Sequence, residues 1–275
     1  MVQGERSRGK AHFSYAVRTA GKEGFFMERK GYAEEQTINY YQVDQKGTLS
    51  PAALLSALQN AAIDHSDTLG YTLDYLAELQ CGWAVINWHI MVYRMPAHRE
   101  TIRLETWSNK CRKMQAERGY YLFDEKGEKI ADGMSRWIYM DFAKRKPTNV
   151  PDDMIEKYGT NQPPAIEGEK FRMPPMPEGE PTAQQRFTVT RRDTDTNGHA
   201  NNVKYLEWAL DDVPDEIYDG MTLKDIRVVY RKECRRGDVV HTKTFVEEKD
   251  GQWETITFIF DEEETVLTEI AILWA

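Results

Sequence analysis

The chain echoes itself, and an internal repeat constrains the fold more than any single residue does. The segment Val43-Asp44-Gln45-Lys46-Gly47-Thr48 leads into Pro51-Ala-Ala-Leu-Leu-Ser-Ala-Leu. Thr194-Asp195-Thr196-Asn197-Gly198-His199 leads into Asn202-Val-Lys-Tyr-Leu-Glu-Trp-Ala-Leu. Both read as a strand, a D-x-x-G turn and a helix, and Asp195 follows Asp44 by 151 positions. Tyr93-Arg94 and Tyr230-Arg231 end similar strands, now 137 positions apart, which places 14 extra residues of the first half within 66–82.

Each half has the same grammar. Ser50 can cap a helix and Pro51 suits its first position. Residues 52–63 are apolar nearly all round, the mark of a helix enclosed by its surroundings. Alternating patterns then predict strands over 83–93, 101–107, 117–123 and 129–140. In the second half a helix over 202–213 precedes strands over 223–234, 238–247, 253–260 and 265–274. Lys126-Gly127 and Asp250-Gly251 supply hairpin turns. One enclosed helix followed by antiparallel strands is an α+β layer in which a sheet curls around a helix, here made twice. The expected division is a flexible leader over 1–34, a first unit over 35–150, a linker over 151–182 and a second unit over 183–275. The stretch 146–181 holds most of the prolines and reads as an extended linker, not a third domain. Residues 1–30 carry seven basic and three acidic residues without an apolar run, so they are no secretory signal, and the three acids weaken the case for a transit peptide.

Composition removes several function classes. Three cysteines, Cys81, Cys111 and Cys234, are odd in number, widely spaced and without C-x-x-C, against a disulfide framework or a cysteine-rich zinc site. No apolar run approaches the roughly 18 residues of a membrane span. The net charge of -9 disfavours nucleic acid as a partner, because such binding rests on neutralising phosphates. Basic islands stand out against it: Lys144-Arg145-Lys146, Arg191-Arg192, and Arg231-Lys232 with Arg235-Arg236. G-x-S-x-G, the P-loop, G-x-G-x-x-G and H-E-x-x-H are all absent, and nothing implies a cofactor.

The densest polar cluster runs from Arg191 to Asn202, where a strand gives way to the second helix. Asp193-x-Asp195-x-Asn197-Gly198 imitates the start of an EF-hand loop, but its twelfth position is Lys204, which cannot ligate calcium. Asp, Asn and Gly are also ordinary turn and cap residues, which accounts for Asn197, Gly198 and Asn201 better than for a histidine set between two acids. A catalytic reading uses the helix N-terminus and Asn197 as donors to a developing oxyanion, with His199 in reach of several partners. Glu233-Cys234 is the second polar point, beside Arg235-Arg236. The first half places Lys46 opposite Asn197 and Thr48 opposite His199, with Pro96 and Ala97 opposite Glu233 and Cys234 at the 137 offset, so it keeps the scaffold without the chemical groups.

The run Asp193-Thr-Asp195-Thr-Asn197-Gly-His199-Ala-Asn201-Asn202-Val-Lys-Tyr205-Leu-Glu-Trp208, with Tyr230-Arg231-Lys-Glu233-Cys234, resembles the acyl-ACP thioesterases. Tyr41-Gln-Val-Asp44, Trp83 and Glu105-Thr106-Trp107 extend the likeness over the first half. The resemblance implies a double hotdog fold and hydrolysis of the thioester between a fatty acyl chain and the phosphopantetheine of acyl carrier protein, ending elongation in fatty acid biosynthesis. It implies a cytoplasmic protein of bacterial type, because the plant members carry a longer leader. Asp195, Asn197 and His199 fall on catalytic-loop positions, Glu233 on the catalytic carboxylate, and Cys234 on a position cast as nucleophile in a papain-like scheme. A thiolate needs a lowered pKa, whereas a carboxylate can activate water against a good leaving group. The chemistry therefore favours Glu233 as base, with His199 and Asn197 binding substrate and Asp195 orienting His199. Arg191, Arg192, Arg231, Lys232, Arg235 and Arg236 are expected to dock the acidic carrier. The family's first hotdog supplies the acyl pocket, for which Leu69, Tyr71, Leu73, Leu76 and Trp83 are candidate liners, with covering the core as the competing role. An acyl-CoA thioesterase, a hydratase or a non-catalytic carrier-binding module are the alternatives, and a monomer and a homodimer are both open.

Overall fold

Ser50 is extended and its side chain accepts from the Ala53 N–H, so helix α1 (Pro51–Thr68) begins with one of its orphan donors satisfied. Leu54, Leu55, Leu58 and Ala61 of α1 are fully buried. Each such leucine contributes roughly 1.5–3 kcal/mol on leaving water. What buries them is the sheet. The computed structural model describes residues 11–17, 27–159, 161–168 and 171–275, and the strands among them form one continuous antiparallel sheet.

The first half contributes, in spatial order, β1 (Ala11–Val17), β2 (Met27–Thr37), β4 (Thr101–Arg112), β5 (Gln115–Phe123), β6 (Lys129–Asp141) and β3 (Cys81–Val92). The second contributes β9 (Leu223–Tyr230), β12 (Val266–Trp274), β11 (Gln252–Phe260), β10 (Val239–Lys249) and β8 (Arg186–Thr188). A two-residue strand, β7 (Lys146–Pro147), pairs with the end of β6. The halves meet at β3 and β9, where Asn87 faces Val229 and Met91 faces Asp225. That seam pairs two strand edges that would otherwise be exposed. Trp88, Ile90, Ile226 and Val228 point inward from it, and α1 and the second-half helix α4 (Asn202–Leu210) pack on that face and against each other. One hydrophobic core therefore runs through both halves.

The main chain reproduces the repeat in detail. Val43 bridges Leu49 as Thr194 bridges Ala200, and Thr48 bridges Ala97 as His199 bridges Arg235. The Leu49 N–H donates to Pro96 and the Ala200 N–H to Cys234, at 2.8 Å in each case. These pairs set the later offset at 138, from Pro96 to Cys234, one more than the tyrosine match suggested. The first half thus carries 13 extra residues by comparison of the two offsets, and the true counterparts of Glu233 and Cys234 are Met95 and Pro96.

Several boundaries differ from expectation. Residues 27–34, assigned to the leader, belong to β2, which pairs with β4 from Tyr32–Thr106 to Thr37–Thr101. Residues 1–10 and 18–26 of that leader lie outside the described residues. The linker is partly helical: α3 (Asp152–Tyr158) buries Met154 and Tyr158 against the first half, and the Pro163 carbonyl accepts from Trp107 Nε1. A local proline count could not foresee this, because the helix falls between Pro151 and Pro163. The extra residues fold into α2 (Leu73–Glu78), capped by Thr72. The second helix stops at Leu210, and a short helix, α5 (Asp215–Gly220), follows Pro214. β9 ends at Tyr230, so Glu233 lies on the segment after the strand.

Candidate active site

Asp195 builds the turn before α4. Its Oδ1 accepts from the N–H groups of Asn197 (2.8 Å) and His199 (3.2 Å), and its N–H donates to the His199 carbonyl. Gly198, at φ +78°, supplies the left-handed residue that closes the turn. Asn201 then caps the helix by accepting from the Val203 N–H. Asp193 is held behind the turn by Thr190, whose N–H and hydroxyl both donate to it.

Alternation explains what meets this turn. Because His199 bridges Arg235, Glu233 and Arg235 project to one side of the extended segment and Cys234 to the other. Glu233 Oε1 lies 3.2 Å from His199 Nε2, and Arg235 Nη2 lies 3.0 Å from the same nitrogen. Nε2 accepts from Arg235 in the Nδ1–H tautomer and donates to Glu233 when it carries the proton. The structure thus brings Glu233 and His199 together at a half-exposed surface, with the Asn197 side chain exposed on the same turn.

Cys234 turns inward. It is 2% exposed, and the Tyr205 hydroxyl meets both its Sγ and its N–H at 3.1 Å. Burial first, then the nearby Asp238 and Asp193 carboxylates, push its thiol up from 9.0 to about 11, outweighing the Tyr205 hydrogen bond. Burial of this kind disfavours the thiolate that the papain-like scheme requires. Two further expectations change. Asp195 reaches His199 through the backbone, and the imidazole takes its partners from Glu233 and Arg235. The helix N-terminus is also a weaker oxyanion site than expected, because the N–H groups of Ala200, Asn201, Val203 and Lys204 already have acceptors.

Arg145 was not among the candidate site residues. It sits in the turn between β6 and β7 at φ +51°, and its Nη2 lies 3.5 Å from Glu233 Oε1. The basic run 144–146 was visible in the sequence, but only pairing across the halves shows that one of its members reaches Glu233. Of the carrier-docking candidates, Arg231 pairs with Glu269 at 2.8 Å and Lys232 with Asp261 at 2.7 Å. Arg191 and Arg236 make no ion pair among the described residues, and Arg192 approaches only Asp193, at 4.0 Å. The pocket candidates mostly fill space: Tyr71, Leu69, Leu76 and Trp83 pack with Tyr139, Met154 and Tyr158 in a satellite core, while Leu73 is 59% exposed. A separate groove of about 420 Å³ along α1 is lined by Ser56, Asn60, Asp64, Glu34 and Glu207, too polar to suit an acyl chain.

A tandem hotdog sheet with this turn at the start of its second helix defines a class, and comparison with known proteins identifies it. Sequence models of the acyl-ACP thioesterase N-terminal and C-terminal domains match residues 29–158 and 178–275. The chain belongs to the acyl-ACP thioesterase family. It is 29% identical over 228 residues to oleoyl-acyl carrier protein thioesterase 2, chloroplastic, of Arabidopsis thaliana, covering 78% of this chain and 62% of that one. It is 28% identical over 233 residues to palmitoyl-acyl carrier protein thioesterase, chloroplastic, of Cuphea hookeriana, covering 80% and 56%. The chain thus spans about six-tenths of the length of these plant relatives. Its fold is that of a putative oleoyl thioesterase from Lactobacillus plantarum, with TM-score 0.81, 24% identity and coverage of 90% and 95%. The 12:0-ACP thioesterase from Umbellularia californica gives TM-score 0.80 at 22% identity, covering 91% and 99%. Among the described residues no helix is long and apolar enough to cross a membrane.

Proposed function

We propose that the chain hydrolyses fatty acyl thioesters of acyl carrier protein, with Glu233 as the general base. One observation carries the reading: Glu233 meets His199 at 3.2 Å on an exposed face, while the neighbouring thiol is turned into the core. A water proton passes to the Glu233 carboxylate as the water oxygen bonds to the thioester carbon. Asn197 and His199 bind the carbonyl oxygen as it gains charge. The C–S bond then breaks, and the proton on Glu233 passes to the departing sulfur, leaving a fatty acid and the carrier thiol. A covalent intermediate is unnecessary because a thiolate leaves readily.

The carrier is acidic by nature, and this chain has a net charge of -9, so attraction depends on a local cationic surface. Arg191, Arg192 and Arg236, without strong partners of their own, form that surface beside the site. The seam between β3 and β9 gives one chain the paired arrangement, so a single copy suffices for the reaction. Thiol release measured from acyl-ACP and acyl-CoA of graded chain length tests the proposal. Preference for the ACP thioesters is expected. Equal or better turnover of the CoA thioesters would reassign the substrate, and release from neither would reject hydrolysis.

A further inference from the structure

We propose that Arg145, supplied by the first half, is a positioning residue for Glu233, holding one carboxylate oxygen so that the other, Oε2, takes the proton from water. The inference rests on the hydrolytic reading above and deepens it. Three groups converge on Oε1: His199 Nε2 at 3.2 Å, Arg145 Nη2 at 3.5 Å and Arg235 Nη2 at 3.7 Å. The hydrogen bond from Arg145 also falls on Oε1, and none from the described residues falls on Oε2. One oxygen is thus tethered and the other open to water, at a side chain that is 49% exposed and otherwise free to rotate.

The tether differs in kind from Arg235. Arg235 lies two positions from Glu233 on the same segment and divides its guanidinium between Glu233 and His199. Arg145 comes from a separate element and has Glu233 as its ion-pair partner. Its turn is fastened independently: Asp141 accepts from the Lys144 N–H at 2.9 Å and from Lys144 Nζ at 2.7 Å, and β7 pairs back onto β6. The half that lacks the chemical groups therefore fixes the orientation of the base in the half that has them.

The charged groups that meet Glu233 are His199 on the turn, Arg145 across the halves and Arg235 on its own segment; Asp195 is engaged by the turn's N–H groups and Asp238 by that of Arg235. Lys144, Lys232 and Arg231 nearby are paired with Asp141, Asp261 and Glu269. Arg145→Gln should lower kcat about tenfold and leave KM within about twofold. Arg145→Lys should restore only part of kcat, since a point charge replaces a directional fork.

The experiment is steady-state hydrolysis of acyl-ACP by the full chain, comparing wild type, Arg145→Gln, Arg145→Lys and Glu233→Gln, with thermal melting to confirm folding. Unchanged kcat in folded Arg145→Gln overturns the positioning role, as does a change in KM alone that salt abolishes, since that marks carrier docking. Wild-type turnover by Glu233→Gln would overturn Glu233 as the general base, and the positioning role with it, whereas no turnover by the wild type would reject the hydrolytic reading itself. Loss in Glu233→Gln with normal Arg145→Gln removes only the positioning role.

Discussion

At Asp44 and at Asp195 the backbone forms the same turn, 151 positions apart. Asp44 Oδ1 accepts from the Lys46 N–H at 3.0 Å, as Asp195 Oδ1 accepts from Asn197 at 2.8 Å. The Gly47 N–H donates to the Asp44 carbonyl and the Gly198 N–H to that of Asp195. The surroundings then diverge. The first turn is tied down by hydrogen bonds: Tyr218 donates to Asp44, Gln45 to Asp219, and Lys46 Nζ to the Met221 carbonyl. The second faces Glu233 and Arg235, where the first half has Met95 and Ala97. The comparison teaches that in both halves the aspartate holds the turn through the same backbone contacts. What distinguishes the second is the side chains at 197, 199 and 233, which the first fills with Lys46, Thr48 and Met95.

The largest test of that contrast is to remove the base. Glu233→Gln keeps the shape and loses the proton acceptor, and general-base catalysis is worth roughly 10²–10⁴-fold, so kcat should fall by about 10³. Met95→Gln, the matching change in the first half, should leave kcat nearly untouched. Stopped-time assays of thiol release on both variants check the pair, and equal losses would break the assignment of chemistry to one half. The histidine comes next. His199→Ala should cost about 10²-fold through loss of substrate binding and of a contact to Glu233, whereas Thr48→Ala should cost little.

Asp195 sharpens the comparison because it separates shape from charge. Asp195→Asn retains an acceptor at Oδ1 for the Asn197 and His199 N–H groups, so the turn and most activity should persist. Asp195→Ala removes the acceptor and should cost about 1 kcal/mol of stability and about tenfold in kcat. Asp44→Ala should cost a similar amount of stability with kcat preserved. Melting curves and kcat on the three variants decide it. A severe kcat loss in Asp195→Asn would mean that the charge itself acts on the imidazole.

How much of this was legible in the sequence follows from which forces are local. The two turns were, since Asp, Gly and the following cap announce themselves within six residues. So was α1, from Ser50, Pro51 and its apolar run, and so were the long strands, from alternation. β2 was not, because MERKGYAEEQT has only scattered apolar residues and gains its place from pairing with β4. The helix at 152–158 was hidden for a similar reason: its flanking prolines suggest extension, and only burial of Met154 and Tyr158 rewards the helix. Within the site, His199 and the Glu233-Cys234 point stood out by residue type, and the resemblance to the acyl-ACP thioesterases gave Glu233 its expected role. That Cys234 faces inward depends on the bridge between His199 and Arg235, and that Arg145 arrives from the other half depends on the packing of the halves. Both are tertiary facts without a local signature.

The cationic surface should give a smaller, salt-sensitive effect. Arg191→Glu with Arg192→Glu should raise KM for acyl-ACP about fivefold at low ionic strength and much less at high salt. Arg231→Glu should do less, because Glu269 already neutralises that side chain. In the first half the same two positions are Tyr40 and Tyr41, so the contrast between halves extends to charge. Kinetics across a salt series check this, and a salt-independent KM would discard carrier docking there.

The smallest effect should come from Cys234. Its counterpart Pro96 is also buried, and both positions serve the fold through a carbonyl that accepts from the residue opening the helix segment, Leu49 in one half and Ala200 in the other. With the thiol near pH 11, about one molecule in 10⁴ would carry a thiolate at pH 7. A thiolate mechanism would make kcat climb about tenfold per pH unit well past neutrality, whereas a Glu233 base gives a plateau once the carboxylate is ionised. Cys234→Ala should therefore stay within about threefold of wild type and keep the same pH profile. Stability shows the thiol differently. The unfolded thiol loses its proton near 9.0 and the folded one near 11, so between those values the unfolded state binds fewer protons and stability falls as pH rises. Cys234→Ala should lose that alkaline sensitivity in melting curves while its activity stands, and a folded, inactive Cys234→Ala would return the nucleophile to the sulfur.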